Sequence, residues 1–239
     1  MDKRVLIVMP AFNEEDNIRG VIHGIRSALK GADILTVNDG SKDATSLFAS
    51  MAGSAVIDLP YRLGYGNALQ TGYKYALKKG YDYLIQLDAD GQHDPCSLPA
   101  LCDEIKKGAH DIIIGSRFIK YTYNPPLARR IGMVLFAKIG SFMTRQGLTD
   151  PVSGFRAFNK KAIRLFCTDL FPSDFPDVDL IIMSKRAGLK IKEIPVLMHP
   201  ARNGKSMHSG LKPAYYIFKM ILSIAVTNLR RVEREKEEA

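Results

Sequence analysis

The sequence contains few cysteines and no long apolar run. The three cysteines, Cys96, Cys102 and Cys167, have no metal-ligand spacing, and their odd number argues against a disulfide framework. No segment reaches the roughly 18 uninterrupted apolar residues that a membrane-spanning helix requires. The first apolar run, residues 5–9, is too short for the core of a signal peptide. We therefore expect reduced cysteines that mostly pack in the interior, and a protein on the cytoplasmic side of the membrane.

Several signatures of well-known enzyme classes are also missing. Gly64 and Gly66 begin like a dinucleotide-binding fingerprint, but Leu69 occupies the place of its third glycine, and the segment does not follow the first strand. The sequence has no P-loop pattern, no pair of histidines four residues apart and no Ser/His/Asp order. Dinucleotide enzymes, metalloproteases and serine hydrolases therefore have no support.

The charge of the chain is strongly positive. Its 239 residues are 46% hydrophobic and 25% charged, which suits a globular protein with a sizeable core, and its formal net charge is +9. Such an excess indicates an anionic partner. The candidates are nucleic acid, an anionic membrane surface and a phosphorylated substrate. We do not expect nucleic acid, because the sequence has no nucleic-acid-binding motif and no stripe of aromatic and basic residues.

The first half of the chain alternates strand-like and helical segments, which predicts βαβ units, a mostly parallel sheet and the α/β class. Asn13 and Ser41 are predicted helix N-caps. Ligands of such sheets bind beyond the carboxyl ends of the strands, where the polar segments 10–14, 38–43 and 88–94 fall. The predicted strands are 5–9, 33–37, 55–59, 84–87, 111–115 and 190–196. In the second half we predict a turn at 150–156 and helices at 127–144, 159–166, 177–188 and 214–229.

Two acidic residues one position apart, Asp88 and Asp90, follow the fourth strand. In an extended strand they would point to the same side, and carboxylates that close repel each other unless a cation lies between them. A hard divalent cation with oxygen ligands suits the pair, and Gln92 offers an additional neutral oxygen. His93 is close enough in sequence to affect the pair. The alternative is an acidic turn that is only solvated.

Five motifs stand in the order found in family 2 glycosyltransferases. They are PAFNE at 10–14, NDGSKD at 38–43, DADGQH at 88–93, GSR at 115–117 and SGFR at 153–156. The chain most resembles the branch of this family that makes dolichyl- and polyprenyl-phosphate hexoses. The resemblance implies a GT-A fold, with a Rossmann-like, mostly parallel sheet flanked by helices, in a catalytic domain of residues 1–210. Residues 211–239 would then be an amphipathic helix with a charged tail.

The resemblance also implies roles for single residues. The nucleotide pocket would be lined by Pro10, Phe12, Glu14, Val37 and Asp39. The diphosphate would lie against Asp88, Ala89 and Asp90, and Mg²⁺ or Mn²⁺ would be bound by Asp88, Asp90 and Gln92. Substrate phosphates and the closing basic loop would involve Arg117, Arg130, Arg202 and Lys205. The catalytic candidates are Asp90, Arg117 and Asp150, of which Asp150 acts either as a general base or by orienting its neighbours.

Two departures from the family pattern leave the donor open. Asn38 stands where the family often has an acid, so the nucleobase is not determined. Met207 stands where many polyprenyl-phosphate mannose synthases have lysine, which weakens the case for GDP-mannose.

These patterns predict an inverting, metal-dependent transfer of a hexose from a nucleotide sugar, of the GDP-mannose or UDP-glucose type, to a polyprenyl phosphate. The alternative is a saccharide hydroxyl acceptor, for which Asp150 would be an essential base. Two apolar segments predict peripheral attachment to the cytoplasmic face of a membrane. They are 131–143, which contains one lysine, and 214–229, which is followed by Arg230 and Arg231. Packing of these segments on the core or on a second copy in a homo-oligomer stays open.

Overall fold

The structure is a computed structural model, and it describes residues 3–120, 127–172, 174–199 and 212–230. The strands are β1 (Val5–Ala11), β2 (Asp33–Asn38), β3 (Ala55–Asp58), β4 (Tyr83–Gln86), β5 (Ile112–Ser116), β6 (Arg156–Asn159) and β7 (Ile191–Pro195). The α-helices are α1 (Ile18–Ala28), α2 (Thr45–Met51), α3 (Tyr65–Lys78), α4 (Leu98–Lys106), α5 (Leu127–Thr144), α6 (Lys160–Phe166), α7 (Val178–Arg186) and α8 (Lys212–Leu229).

In the described residues the strands form one sheet in the order β3-β2-β1-β4-β6-β5-β7. Strand β6 runs antiparallel to both of its neighbours, β4 and β5, whereas the other pairings are parallel. The prediction of a mostly parallel α/β sheet is therefore confirmed. The predicted turn at 150–156 is wrong at its last residue, because Arg156 already begins β6.

Alternate residues of the strands face two different layers of helices. In β1, Leu6 and Val8 pack with α3, α6 and α7 on one face of the sheet. Ile7 and Met9 pack with α1, α2 and α4 on the other face. The sheet is thus buried on both sides, as expected for parallel strands, and its carboxyl edge is left for a site.

Helix α8 is attached to the rest of the protein through α5 and α7. A small apolar cluster joins the three helices, with Phe136, Val178, Ile182, Met220 and Ile224 buried in it. Ser223 of α8 also donates a hydrogen bond to the buried carboxylate of Asp179 in α7. The division of the chain at residue 210 stays a prediction. No helix in the described ranges is both long and apolar enough to cross a membrane.

Both predicted helix caps are wrong. Helix α1 begins at Ile18, and Asn13 instead adopts a left-handed backbone (φ 55°) while its side chain accepts a hydrogen bond from the N–H of Lys42. Helix α2 begins at Thr45, and the hydroxyl of Ser41 instead accepts from the N–H of Asn13. The two polar side chains therefore connect the loops that follow β1 and β2 at the carboxyl edge of the sheet.

Candidate active site

The acidic pair lies just beyond the carboxyl end of β4. Strand β4 ends at Gln86, so Asp88 and Asp90 occupy the loop after the strand. Both residues are half-buried, and the side chain of Asp88 is 31% exposed. The pair is therefore open to a ligand arriving at the edge of the sheet.

Three residues lie close to the carboxylate of Asp88. The hydroxyl of Tyr65 donates to Oδ1 at 2.9 Å, and Nε2 of His93 lies 3.9 Å from Oδ2. A Cβ atom placed on Gly154 would lie only 2.9 Å from Oδ2, so the glycine of the SGFR motif allows the carboxylate to sit there. Tyr65 is a site residue that the sequence analysis missed, since it lies 23 positions before Asp88.

The hydrogen bond from Tyr65 is the end of a buried chain of polar groups. The hydroxyl of Tyr73 donates to Oε1 of Gln86, and Nε2 of Gln86 donates to the hydroxyl of Tyr65 at 3.2 Å. Gln86 is the last residue of β4 and is 1% exposed. Because buried polar groups are costly when unpaired, this chain fixes the orientation of Tyr65 toward Asp88.

The site concentrates negative charge. Burial and the neighbouring charge of Asp90 raise the pKa of Asp88 to about 7, against the opposing effects of Tyr65, Arg156 and Arg117. Burial likewise raises the pKa of Glu14, and the charges of Asp90 and Asp88 act in the same direction. The carboxyl groups of Glu14, Asp88 and Asp90 are therefore near enough for their charges to interact. A cation there would relieve their repulsion.

His93 contributes a neutral ring to this region. Burial lowers its pKa to about 4, and its Nδ1 accepts the backbone N–H of Asp88 at 3.0 Å. The ring also stacks on Phe155, with the ring centroids 4.9 Å apart. His93 thus braces the loop that carries the acidic pair.

The donor set of the acidic pair fits a hard cation. Within the described part of the chain, no three His, Cys, Asp or Glu side chains form a group that could hold a metal ion. Mg²⁺ and related ions, however, are often bound by one or two carboxylates together with substrate phosphate and water. Gln92 donates its backbone N–H to Oδ1 of Asp90 at 2.9 Å and its side-chain amide to Oδ2. It therefore orients Asp90, and its role as a direct metal ligand stays a prediction.

The predicted catalytic residues Arg117 and Asp150 form a buried ion pair. Nε and Nη2 of Arg117 donate to the two carboxylate oxygens at 2.6 and 3.0 Å, and the backbone N–H adds a contact at 3.2 Å. The Asp150 side chain is fully buried, and Glu193 accepts its backbone N–H at 2.8 Å. Because both oxygens accept from Arg117, the geometry favours an orienting role for Asp150 over that of a general base.

Arg156 of the SGFR motif is a buried cation near the site. It is 1% exposed, and its Nη1 and Nη2 donate to the carbonyl oxygens of Pro176 and Pro151 at 2.7 and 2.9 Å. This buried cation holds two loops against β6. Its charge also opposes the raised pKa of Asp88.

A cavity of about 790 Å³ lies at the carboxyl ends of β2 and β3, close to the end of β1. Its walls include Phe12, whose ring is covered by the guanidinium of Arg62 at 4.0 Å. The volume is in the range of small-molecule sites. A second cavity of about 390 Å³ is lined by residues of α8 and by Asp169, Phe171, Pro172 and Asp174, and does not include the acidic pair.

The other predicted nucleotide residues, Pro10, Glu14, Val37 and Asp39, are not among those that line this cavity. Val37 is buried in the core, as are Pro10 and Ala89. The carboxylate of Asp39 is 4% exposed and accepts the backbone N–H groups of Leu63 and Gly64 at 2.7 and 3.0 Å. Asp39 therefore holds the loop that carries Arg62.

The predicted phosphate-binding residues are only partly described. Arg130 is exposed in the first turn of α5. Arg202 and Lys205 lie outside the described residues.

Comparisons with known proteins agree with this architecture. Residues 6–166 match the model of the Glycosyl transferase family 2. The undecaprenyl-phosphate mannosyltransferase of Micrococcus luteus is 30% identical over 216 residues, covering 87% of this chain and 88% of the relative. The UDP-N-acetylglucosamine–dolichyl-phosphate N-acetylglucosaminyltransferase of Methanococcus voltae is 28% identical, covering 82% and 85%.

The fold is also that of solved glycosyltransferases. The glucosyl-3-phosphoglycerate synthase of Mycobacterium tuberculosis, crystallised with Mn²⁺, UDP-glucose and phosphoglyceric acid, superposes with a TM-score of 0.73 at 19% identity. The match covers 94% of this chain and 79% of that one. At this identity the likeness concerns the fold, and it confirms the predicted GT-A architecture.

Proposed function

The chain belongs to glycosyl transferase family 2, and on that premise we propose that it transfers a hexose from a nucleoside diphosphate sugar to a polyprenyl phosphate. The observation that carries the proposal is the pair of carboxylates, Asp88 and Asp90, at the carboxyl edge of β4. The names of two relatives, which act on undecaprenyl and dolichyl phosphate, support a lipid phosphate as the acceptor.

A divalent cation fits the donor side of this reaction. Asp88 and Asp90 would hold Mg²⁺ or Mn²⁺, and the presence of Mn²⁺ and UDP-glucose together in a structural neighbour supports this assignment. The ion would supply Lewis-acid stabilisation of the departing diphosphate. Without a cation, the negative charge of Glu14, Asp88 and Asp90 would repel the diphosphate, which gives a physical reason for metal dependence.

The residues of the chain position the reactants for attack. An oxygen of the acceptor phosphate forms a bond to the anomeric carbon while the bond from that carbon to the diphosphate oxygen breaks, and the anomeric configuration inverts. Asp88 and Asp90 orient the diphosphate, and Arg117 contributes a fixed positive charge whose electrostatic effect reaches Asp88. Such preorganised charge lowers a barrier because it needs no rearrangement during the reaction.

The buried ion pair favours a phosphate acceptor over a saccharide hydroxyl. A phosphate is ionised near neutral pH and needs no base, whereas a sugar hydroxyl must lose its proton during attack. Asp150 was the candidate for that base, and both of its oxygens accept hydrogen bonds from Arg117. Asp150 would then hold Arg117 in place, and the hydroxyl acceptor becomes the less favoured alternative.

The enzyme would reach the lipid chain of the acceptor through a membrane-binding surface formed by α5 and α8. Large apolar side chains point outward on both helices, and the most exposed are Ile131 and Phe142 of α5 and Phe218 and Leu229 of α8. Arg130 and Lys138 are exposed on α5, where they would suit anionic headgroups. We propose that this apolar surface attaches the enzyme peripherally to the cytoplasmic face of a membrane.

The acceptor is tested with purified protein, Mn²⁺ and labelled GDP-mannose or UDP-glucose. Three acceptors are compared: a polyprenyl phosphate, the same polyprenol without phosphate, and a free saccharide. We expect labelled sugar in the lipid fraction with the polyprenyl phosphate alone. Transfer to the saccharide, with none to the lipid phosphate, would contradict the proposal and favour the hydroxyl-acceptor alternative.

A further inference from the structure

We propose that Asp58, held in place by Asn38, recognises the nucleobase of the donor and selects guanine over uracil. This inference rests on the proposed function, because it concerns the nucleotide of the same donor. The names of the relatives do not decide the base, since one of them uses UDP-N-acetylglucosamine and another is named only by its mannosyl product.

Asn38 and Asp58 are neighbours across two parallel strands. They are the last residues of β2 and β3, and they stand opposite each other in the register of the sheet. Neighbouring residues of parallel strands point to the same side, which brings the two side chains together. Both belong to the walls of the cavity of about 790 Å³ at the carboxyl edge.

The carboxylate of Asp58 is oriented from both sides. Nδ2 of Asn38 donates to Oδ1 at 2.7 Å, and the hydroxyl of Ser46 donates to Oδ2 at 3.0 Å. Each carboxylate oxygen can accept a second hydrogen bond. Asp58 is exposed, so this additional acceptor capacity is accessible from the cavity.

The contact with Asp58 gives a physical reason for an amide rather than a carboxylate at position 38. A carboxylate in its place would put two negative groups at hydrogen-bond distance, and they would repel each other. The oxygen of Asn38 also accepts the N–H of Ser41 at 3.1 Å, which fixes the direction in which the NH₂ group points. Asn38 and Asp58 are thus one unit, in which the amide donates to the carboxylate and orients it.

The neighbouring acids are engaged by backbone groups instead. Asp39 accepts the N–H of Gly64 at 3.0 Å and is 4% exposed. Asp43 accepts the N–H groups of Thr45 and Glu15 at 3.0 and 3.2 Å. These two acids hold loops together, whereas Asp58 presents its carboxylate to the cavity.

The cavity also offers a flat wall for a base. The guanidinium of Arg62 lies 4.0 Å from the centre of the Phe12 ring, which shows that a planar group fits against this ring. A base can stack on the outer face of the guanidinium or take its place on the ring. A base so stacked would present its edge to the walls of the same cavity, which include Asp58.

A carboxylate distinguishes the bases by their donors. Guanine carries two adjacent donors, N1–H and the N2 amino group, which match the two oxygens of a carboxylate. Uracil carries one N–H between two carbonyl oxygens, and at least one of these oxygens would face the carboxylate. The unpaired carbonyl and the electrostatic repulsion both weaken uracil binding. We expect a preference of about tenfold or more for guanine.

The test is calorimetric titration of GDP and of UDP, each with Mn²⁺, into the unmodified protein, the D58N variant and the matched control D103N. Asp103 is an exposed acid on α4 that does not line the cavity. We expect GDP to bind about tenfold more tightly than UDP. D58N should remove most of this difference by weakening GDP, and D103N should keep it.

Two results would overturn the inference. One is equal or tighter binding of UDP by the unmodified protein, a comparison that does not depend on any variant folding. The other is a folded D58N protein in which the ratio of GDP to UDP affinity is unchanged. Absence of binding by both nucleotides would instead contradict the proposed function, and the base assignment with it.

Discussion

The close approach of Gly154 to Asp88 gives a sharp prediction, because replacing the glycine by alanine changes the site by one methyl group. The new Cβ would lie 2.9 Å from Oδ2 of Asp88 and 3.2 Å from the hydroxyl of Tyr65. Gly154 is not among the residues with a positive φ angle, so alanine meets no backbone strain there. The variant therefore tests the space around the Asp88 carboxylate and the Tyr65 hydroxyl that binds it.

The size of the effect follows from the distances. Ordinary contacts of a Cβ atom begin near 3.4 Å, so the Asp88 oxygen must retreat by about 0.5 Å. Overpacking of this kind costs about 1–3 kcal/mol of the free energy of unfolding. Because misplacing a reacting group by 1 Å can cost about a hundredfold in rate, we expect kcat/KM to fall about tenfold.

The assay compares G154A with G20A. Gly20 is an exposed position in α1, and a Cβ there meets nothing within 4 Å, so alanine should leave activity unchanged and stabilise the helix by about 0.5–1 kcal/mol. Thermal unfolding, Mn²⁺-dependent nucleotide binding and sugar transfer are measured for both variants. Wild-type transfer and wild-type Mn²⁺-dependent binding in G154A would refute the view that the position of Asp88 controls the reaction.

Three further predictions concern other parts of the structure. Removing the hydroxyl in Y65F should lower sugar transfer about tenfold while the protein stays folded, since a hydrogen bond to the charged Asp88 contributes about 1.5–3 kcal/mol; unchanged kinetics would contradict this. Burial raises the pKa of Asp179 to about 6, so its contribution to stability is full below pH 4 and is lost as the pH rises through 6. The free energy of unfolding of D179N, measured with denaturant relative to that of the unmodified protein, should therefore be up to about 3 kcal/mol higher at pH 7 than at pH 4. A difference between the two proteins that does not change with pH would contradict this. F218E on the outer face of α8 should lose co-sedimentation with anionic vesicles, whereas M51E at an equally exposed apolar site on α2 should retain it; loss of dimers instead, with vesicle binding intact, would identify a face between two copies.

Much of the fold could be predicted because parallel strands buried on both faces leave continuous apolar runs. The run at Val5–Ala11 and the helices between the strands were recognisable from local spacing alone. Strand β6 was not, because Arg156–Asn159 is only four residues long and pairs antiparallel with β4, far away in the sequence. Its partners are fixed by tertiary packing, which a local pattern does not contain.

The position of the site was also predictable, since polar segments after parallel strands gather at one edge of a sheet. The contacts within the site were not. Nothing in the spacing indicates that Asp39 binds the N–H groups of Leu63 and Gly64, or that Arg117 engages Asp150. These partners depend on how loops 23 or more residues apart meet in space, so the roles assigned to single residues stay predictions until they are measured.

The central claim is that a cation held by Asp88 and Asp90 connects the protein to the diphosphate of its donor. Calorimetric titration of a sugar nucleotide into the unmodified protein and into D90N, with Mn²⁺ and then with excess EDTA, tests this claim directly. We predict measurable affinity only for the unmodified protein with Mn²⁺, and a loss of about a hundredfold in D90N or in EDTA while the melting temperature without ligand stays within a few degrees. Equal affinity in all four conditions would contradict the account.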